Sequence, residues 1–139
     1  MARFVSMLTI GFVMLAGIAS AQPTIKKTPI TQTSPIAGKE MFKTYCAPCH
    51  GLDAKGDGPA APALKKAPAN LTELSARNGG KFPDNKVMST IRGGTETPAH
   101  GSRDMPMWGS LFSSLNTDQA LVQLRISNLT DYLKSIQAK

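Results

Sequence analysis

The segment Cys46-Ala47-Pro48-Cys49-His50 constrains this chain most strongly, because it holds both cysteines of the sequence and one of its two histidines. Two cysteines three residues apart lie on one edge of a helical turn, and the imidazole that follows can turn toward the same side. This geometry suits two thioether bonds to the vinyl groups of a haem and one ligand to its iron. We therefore predict covalent attachment of haem c through Cys46 and Cys49, with His50 binding the iron.

Two other chemistries compete for these residues. A thioredoxin-like redox pair would use both cysteines, but it would leave His50 without a role and needs a β-α-β context that the sequence lacks. A zinc site lacks ligands, since the chain has only two cysteines and two histidines and His50 is poorly placed to share a tetrahedral metal with Cys49. A plain disulfide or redox pair remains the alternative to haem.

The first 21 residues have the pattern of a secretory signal peptide. Arg3 is a short basic lead, residues 4–18 form an apolar run, and Ala19-Ser20-Ala21 is a small-residue exit. We predict cleavage before Gln22 and hence a periplasmic protein. A retained membrane anchor is the alternative, although the run is marginally short and interrupted by glycine.

The remaining chain divides into a tether and one small domain. Residues 22–35 are rich in Thr, Pro, Gln and Lys and predict an extended, poorly ordered tether. Residues 36–139 are predicted to form the domain. No segment alternates as a strand would and no β-α-β pattern is present, so the predicted fold class is all-α.

Four segments predict helices. The last is the most periodic, with about 18 residues after the cap candidate Thr117. Its apolar stripe consists of Val122, Ile126, Leu129, Leu133 and Ile136. Residues 36–45 predict a helix with Ser34 as its cap and Pro35 in its first turn. A second predicted helix covers 71–77. A third covers 84–92, between a cap at Asp84 and Gly93. Residues 51–70 predict a loop. Four short helices and long loops provide few large apolar side chains. We therefore expect a cofactor to complete the core.

The candidates for a second iron ligand are His100 and the methionines. Pro106 biases Met105 toward an extended backbone, from which its side chain could cross the open haem face. We predict Met105 as this ligand. Met41 and Met88 lie on helical faces, where methionine more often fills a core. Alternatives stay open in the same segment, namely Met107, His100 and an open site.

Residues 36–139 resemble a class I monohaem c-type cytochrome of the exported, soluble bacterial type. The resemblance rests on the Cys-x-x-Cys-His-Gly motif at 46–51, on "GDGPAAPAL" at 56–64, on "APANLTEL" at 67–74 and on "HGSRDMPMWG" at 100–109. It implies a small cytochrome c fold with three to five short helices around one covalent haem. It also implies that the methionine of the Met-Pro pair, Met105, is the distal ligand.

The resemblance further implies a crossing of the first and last helices. Gly38 and Phe42 would be the glycine and aromatic residue of the N-terminal helix, and Tyr132 would be their counterpart on the C-terminal helix. Their spacing of four makes one contact point, and Gly38 lets the two backbones approach closely.

These features predict a periplasmic one-electron carrier that is not an enzyme by itself. A haem with both axial positions filled has no open face for a substrate, and a methionine ligand raises its potential. The alternative is a haem subunit of a larger respiratory or periplasmic oxidoreductase; a peroxidase or ligand sensor would need an open sixth position. The net charge of +7 favours redox partner proteins with acidic docking surfaces over nucleic acid, and membrane contact only through partners or an uncleaved signal.

Overall fold

The structure is a computed structural model that describes residues 30–93 and 108–138. The predicted signal peptide and most of the predicted tether lie outside these residues, as does the segment that contains His100, Met105 and Met107. The described residues are helical, without a strand, which confirms the all-α prediction. None of their helices is long and apolar enough to cross a membrane.

The N-terminal helix consists of three consecutive segments. Helix α1 spans Gly38–Met41, a π-helical segment spans Phe42–Cys46, and helix α2 spans Ala47–His50. The π-helical widening precedes Pro48, whose ring would clash with the carbonyl group four residues before it in a regular α-helix. The cysteine motif is therefore the end of this helix.

The predicted start of that helix is wrong by two residues. Helix α1 begins at Gly38, its cap residue is Ala37, and no side chain caps it, so Ser34 does not have the predicted role. Ile36, the first residue of the predicted helix, lies outside it and is 70% exposed. The reason is a turn before the helix, in which the Ala37 amide donates to the Ser34 carbonyl over 3.3 Å.

The middle of the chain contains short 3₁₀ turns and one longer helix. The predicted helix over 71–77 is two separate 3₁₀ turns, Leu71–Glu73 and Ala76–Asn78, and a third turn, Ala61–Ala63, lies in the predicted loop. Helix α3 spans Asp84–Arg92, as predicted, and ends at Gly93, which has a φ of 87°. Asp84 lies inside its first turn, however, and does not cap it.

Two helices form the C-terminal part. Helix α4, Trp108–Leu115, was not predicted. Helix α5, Gln119–Ser135, begins one residue later than a cap at Thr117 would give, because the side chain of Asp118 accepts a hydrogen bond from the Ala120 amide. The predicted apolar stripe of α5 is confirmed: Val122, Ile126, Leu129 and Leu133 are buried, and Ile136 packs against them.

Helices α1 and α5 cross at Gly38, as the resemblance implied. A β-carbon on Gly38 would overlap the carbonyl oxygen of Asn128 and lie 3.0 Å from the β-carbon of Tyr132. One turn further on, the rings of Phe42 and Tyr132 are 5.3 Å apart. The absent side chain of Gly38 therefore allows the close approach of the two backbones.

The end of the predicted tether packs against this helix pair. Thr33 is buried, and Arg125 of α5 donates to its carbonyl oxygen over 2.7 Å and to its hydroxyl oxygen over 3.1 Å. The hydroxyl of Thr33 donates in turn to that of Tyr45, which donates to the Thr31 carbonyl. The sequence did not indicate these contacts, which join the last residues of segment 22–35 to the domain.

Helix α4 completes an aromatic cluster beside the cysteine motif. The ring of Tyr45 lies 5.2 Å from that of Trp108 and 5.5 Å from that of Phe112. Phe112 is fully buried, and the guanidinium carbon of Arg125 lies 5.9 Å from the centre of its ring. The rings of Trp108 and Phe112 therefore cover Tyr45, the residue immediately before Cys46.

Candidate functional site

The loop after the cysteine motif holds the backbone of the motif in place. The last three carbonyl groups of α2 have no partner within the helix, as at any helix end. They accept hydrogen bonds from three amides of the loop: Pro48 from Ala60 at 2.8 Å, Cys49 from Gly58 at 3.1 Å, and His50 from Gly56 at 2.8 Å. The loop therefore fixes the position of the turn without using side chains.

Gly58 is where this loop comes closest to the motif. A β-carbon at Gly58 would lie 2.5 Å from the carbonyl oxygens of both Ala47 and Pro48, and 2.6 Å from the carbonyl carbon of Cys49. No larger residue fits without moving one of the two backbones. Gly51, which ends α2 with a φ of 78°, allows the chain to turn back toward this contact.

The two cysteine sulfurs lie in different environments. Cys46 is buried, whereas Cys49 is partly exposed. Burial raises the pKa of the Cys46 thiol to about 12, and the nearby Cys49 adds to the rise. A reactive cysteine of a redox pair needs a lowered pKa. The environment of Cys46 therefore disfavours this residue as the reactive thiol of a redox pair.

His50 is oriented by a backbone carbonyl from the far end of the loop. Its Nδ1 lies 2.9 Å from the carbonyl oxygen of Ala69, which can only accept, so Nδ1 carries the proton. Burial lowers the pKa of His50, and the bond to Ala69 opposes part of that shift. The neutral ring therefore has its Nε2 available for a metal, with the second ring nitrogen fixed as in most metal-binding histidines.

These residues fit a covalently attached haem. Two thiols and one oriented imidazole nitrogen within five positions supply two sites of attachment and one iron ligand. A zinc site finds no support in the described part of the chain, where no three side chains of His, Cys, Asp and Glu are grouped so that they could hold a metal ion.

The structure brings together only part of the predicted site. Cys46, Cys49 and His50 share one turn, whereas Met105 and its alternatives Met107 and His100 lie outside the described residues. Met41 is fully buried and its sulfur lies 3.8 Å from Arg125 Nη1, which agrees with a core position. Met88 also packs against the core.

Sequence reasoning missed the residues that hold the motif. Ala69 acts through its carbonyl group, which every residue has, so no sequence signal identifies it. Gly58 had a weak signal, because two glycines flank an aspartate in "GDG" shortly after the motif. Helix α4 had a clearer one, since Trp108, Leu111, Phe112 and Leu115 follow the spacing of one helical face.

Comparison with known proteins identifies the family of this chain. No curated protein and no solved structure matches the chain significantly. A family model described as Cytochrome c matches residues 36–137, which include the cysteine motif, the loop that holds it and helices α1 to α5. The all-helical structure agrees with the small cytochrome c fold. The chain therefore belongs to the cytochrome c family, whose members carry a covalently bound haem c and transfer electrons.

Proposed function

We propose that this protein is a periplasmic one-electron carrier whose haem c is attached through Cys46 and Cys49 and ligated by His50 and Met105. The observation that carries the proposal is the hydrogen bond from His50 Nδ1 to the Ala69 carbonyl oxygen, at 2.9 Å. It leaves Nε2 as the iron-binding atom and strengthens His50 as a ligand, because a bound Nδ1 proton makes the ring more basic.

The chain positions the cofactor and excludes water. Haem c supplies the reversible one-electron couple of its iron. The thiols of Cys46 and Cys49 fix the cofactor to a turn that is held by three loop amides, and the buried core beside Cys46 keeps that side dry. A turn held this firmly changes little between oxidation states, which favours fast electron transfer.

Met105 is assigned from the Met-Pro pair that resembles the distal loop of class I cytochromes. Met105 would fill the sixth position and leave no face for a substrate. We therefore propose that the protein is not an enzyme by itself. The apolar run and small-residue exit of residues 1–21 support export to the periplasm, and the net charge of +7 supports partners with acidic docking surfaces.

Absorption spectra of two variants test the sixth ligand. We expect the ferric protein to show the weak far-red band of an iron–thioether bond and the reduced protein to resist carbon monoxide. Met105→Ala should remove the band and admit carbon monoxide, because it opens the sixth position. Met107→Ala is the matched control and should leave both properties nearly unchanged. Loss of the band in Met107→Ala alone would assign the ligand to Met107.

Attachment and role are tested on the purified protein. The mass should equal that of residues 22–139 plus one haem, and acidified organic solvent should leave the pigment on the polypeptide. Free haem in the extract would contradict thioether bonds to Cys46 and Cys49. Purification of the pigment alone supports a carrier, whereas its co-purification with a respiratory enzyme would make the chain a subunit.

A further inference from the structure

The C-terminal end of the chain is fastened to the segment that follows Ala69. The side-chain amide of Gln137, just after α5, donates to the Leu71 carbonyl oxygen over 2.8 Å and accepts from the Ser75 amide over 2.9 Å. The next amide, that of Ala138, donates to the Thr72 carbonyl over 2.7 Å. Gln137 thus ties both 3₁₀ turns of residues 71–78 to the end of the molecule.

The same segment is held on its other side by the loop. The Leu71 amide donates to the Ala54 carbonyl oxygen over 2.7 Å, so both backbone groups of Leu71 have a partner. Ala54 is fully buried and adopts a positive φ of 63°, which fixes its carbonyl direction within the loop. Leu71 is therefore a fixed point between the loop and the C-terminus.

This fixed point lies two residues after Ala69. Only Asn70 separates them, and its side chain is occupied by the Thr72 amide at 3.0 Å. Because the amide and the carbonyl of Leu71 are both hydrogen-bonded, the carbonyl group of Ala69, two residues earlier, has little freedom to rotate. The direction of the Ala69 carbonyl, and with it the hydrogen bond to His50 Nδ1, therefore depends on whether Leu71 stays in place.

We propose that Gln137 is a positioning residue for the iron-binding imidazole, because it holds Leu71 so that the Ala69 carbonyl accepts from His50 Nδ1. This inference rests on the proposed function, in which His50 binds the haem iron. A weaker bond to Nδ1 makes the imidazole a poorer electron donor. The poorer donor stabilises oxidised iron less, so the reduction potential rises.

The test compares two glutamines of the C-terminal region in the holoprotein. Gln137→Met keeps the length of the side chain but removes all three of its amide hydrogen bonds, those with Leu71 and Ser75 and the one to the Leu133 carbonyl within the C-terminal helix region. Gln123→Met is the matched control, because Gln123 is exposed and its amide oxygen accepts from Arg92, remote from Leu71 in the chain. The readouts are the reduction potential and the solvent exchange of the His50 Nδ1 proton, measured by NMR on the reduced, histidine-labelled protein.

We expect Gln137→Met to raise the potential and to speed the exchange of the Nδ1 proton about fivefold, the factor that corresponds to one net hydrogen bond. Gln123→Met should match the unmodified protein in both. Gln137→Asn, which keeps the amide on a shorter side chain, should give shifts of the same sign but smaller size. This variant keeps the test open should Gln137→Met yield too little holoprotein.

Two results would overturn the inference, and they differ. If the glutamine variants only lower the melting temperature, with unchanged potential and exchange, Gln137 is a structural tie and the proposed function still stands. If the unmodified protein shows no His50 imidazole on iron, the proposed function has failed and this inference fails with it. The chain has only two histidines, so His100→Asn identifies the His50 signal.

Discussion

Gly58 shows how one absent side chain can govern a functional turn. Its amide donates to the Cys49 carbonyl, and a β-carbon on it would lie 2.5 Å from the carbonyl oxygens of Ala47 and Pro48. Gly58 does not have a positive φ, so the close backbone contact, and not the backbone conformation, is what requires glycine here. Gly79 is the opposite case, because a β-carbon there would meet nothing within 4 Å but the φ is 67°.

The two glycines give a matched pair of substitutions. Gly58→Ala should destabilise the protein by about 1–3 kcal/mol, since the added methyl group overpacks the turn. Gly79→Ala should cost about 1–2 kcal/mol, because alanine is strained in the left-handed region. Only Gly58→Ala should also alter the haem spectrum and lower the yield of holoprotein.

Denaturant unfolding and absorption spectroscopy measure both effects. Because the two substitutions should lower stability by similar amounts, a spectral change found only in Gly58→Ala would report displacement of the turn and not general destabilisation. A normal haem spectrum in Gly58→Ala, at normal yield, would show that the loop can retreat from the motif without disturbing it.

Helices whose ends are marked locally could be predicted from the sequence, and those shaped by distant contacts could not. Helix α3 has the predicted bounds because Gly93 stops it within its own segment. The two 3₁₀ turns over 71–78 have a helix-like pattern, but Gln137 and Ala138 bind their backbone from far along the chain. The cysteine motif could also be recognised from the sequence, because all of its residues are neighbours in the chain. The Ala69 carbonyl that binds His50 could not, because its position depends on the path of a whole loop.

Helices α3 and α5 are joined by an ion pair that titrates. Lys134 Nζ lies 2.9 Å from Asp84 Oδ1. The hydrogen bond from Lys134 lowers the pKa of Asp84 below its ordinary value of 3.8, and the same bond raises the pKa of Lys134. The pair is exposed, so its effect on stability is small and depends on salt.

The pH dependence of Asp84→Asn should follow from these shifts. A lowered folded-state pKa adds stability above pH 3.8, which is lost as the pH falls through the folded-state value below it. The unmodified protein should therefore melt above Asp84→Asn at pH 5 to 7, and the difference should shrink below about pH 4. Melting temperatures at low ionic strength measure it. A difference that persists at pH 2 would show that the carboxylate charge is not its cause.

In the molecule as a whole, the first and last helices of the described residues, one from each end of the domain, build the core together. The largest fully buried side chains of the described residues come from the N-terminal helix, α4 and α5: Phe42, Phe112, Met41, Ile126 and Leu129. Thr33 and Arg125 join the same two ends by hydrogen bonds. The middle of the described chain adds smaller contributions to this core, mainly Phe82 and, from α3, Val87 and Ile91.

We expect folding to depend on the cofactor, because a core this small needs a further apolar group to offset the entropy of ordering long loops. Changing both Cys46 and Cys49 to alanine should remove most of the helical circular dichroism and the near-ultraviolet signal. Cys49→Ala alone, which would keep the thioether that we propose at Cys46, should retain more of both. Full cooperative unfolding of the double variant would show that the protein core suffices without haem.

The burial of Cys46 also sets an order of events in the biosynthesis of this protein. A folded chain that still had a free thiol at Cys46 would keep its sulfur away from an incoming haem, because this residue is buried. Cys46 belongs to the same core cluster as the buried residues of α5, so an unfolded chain leaves this thiol open. We therefore expect haem attachment at Cys46 to precede closure of the core, and a variant chain that folds without haem should take it up less completely.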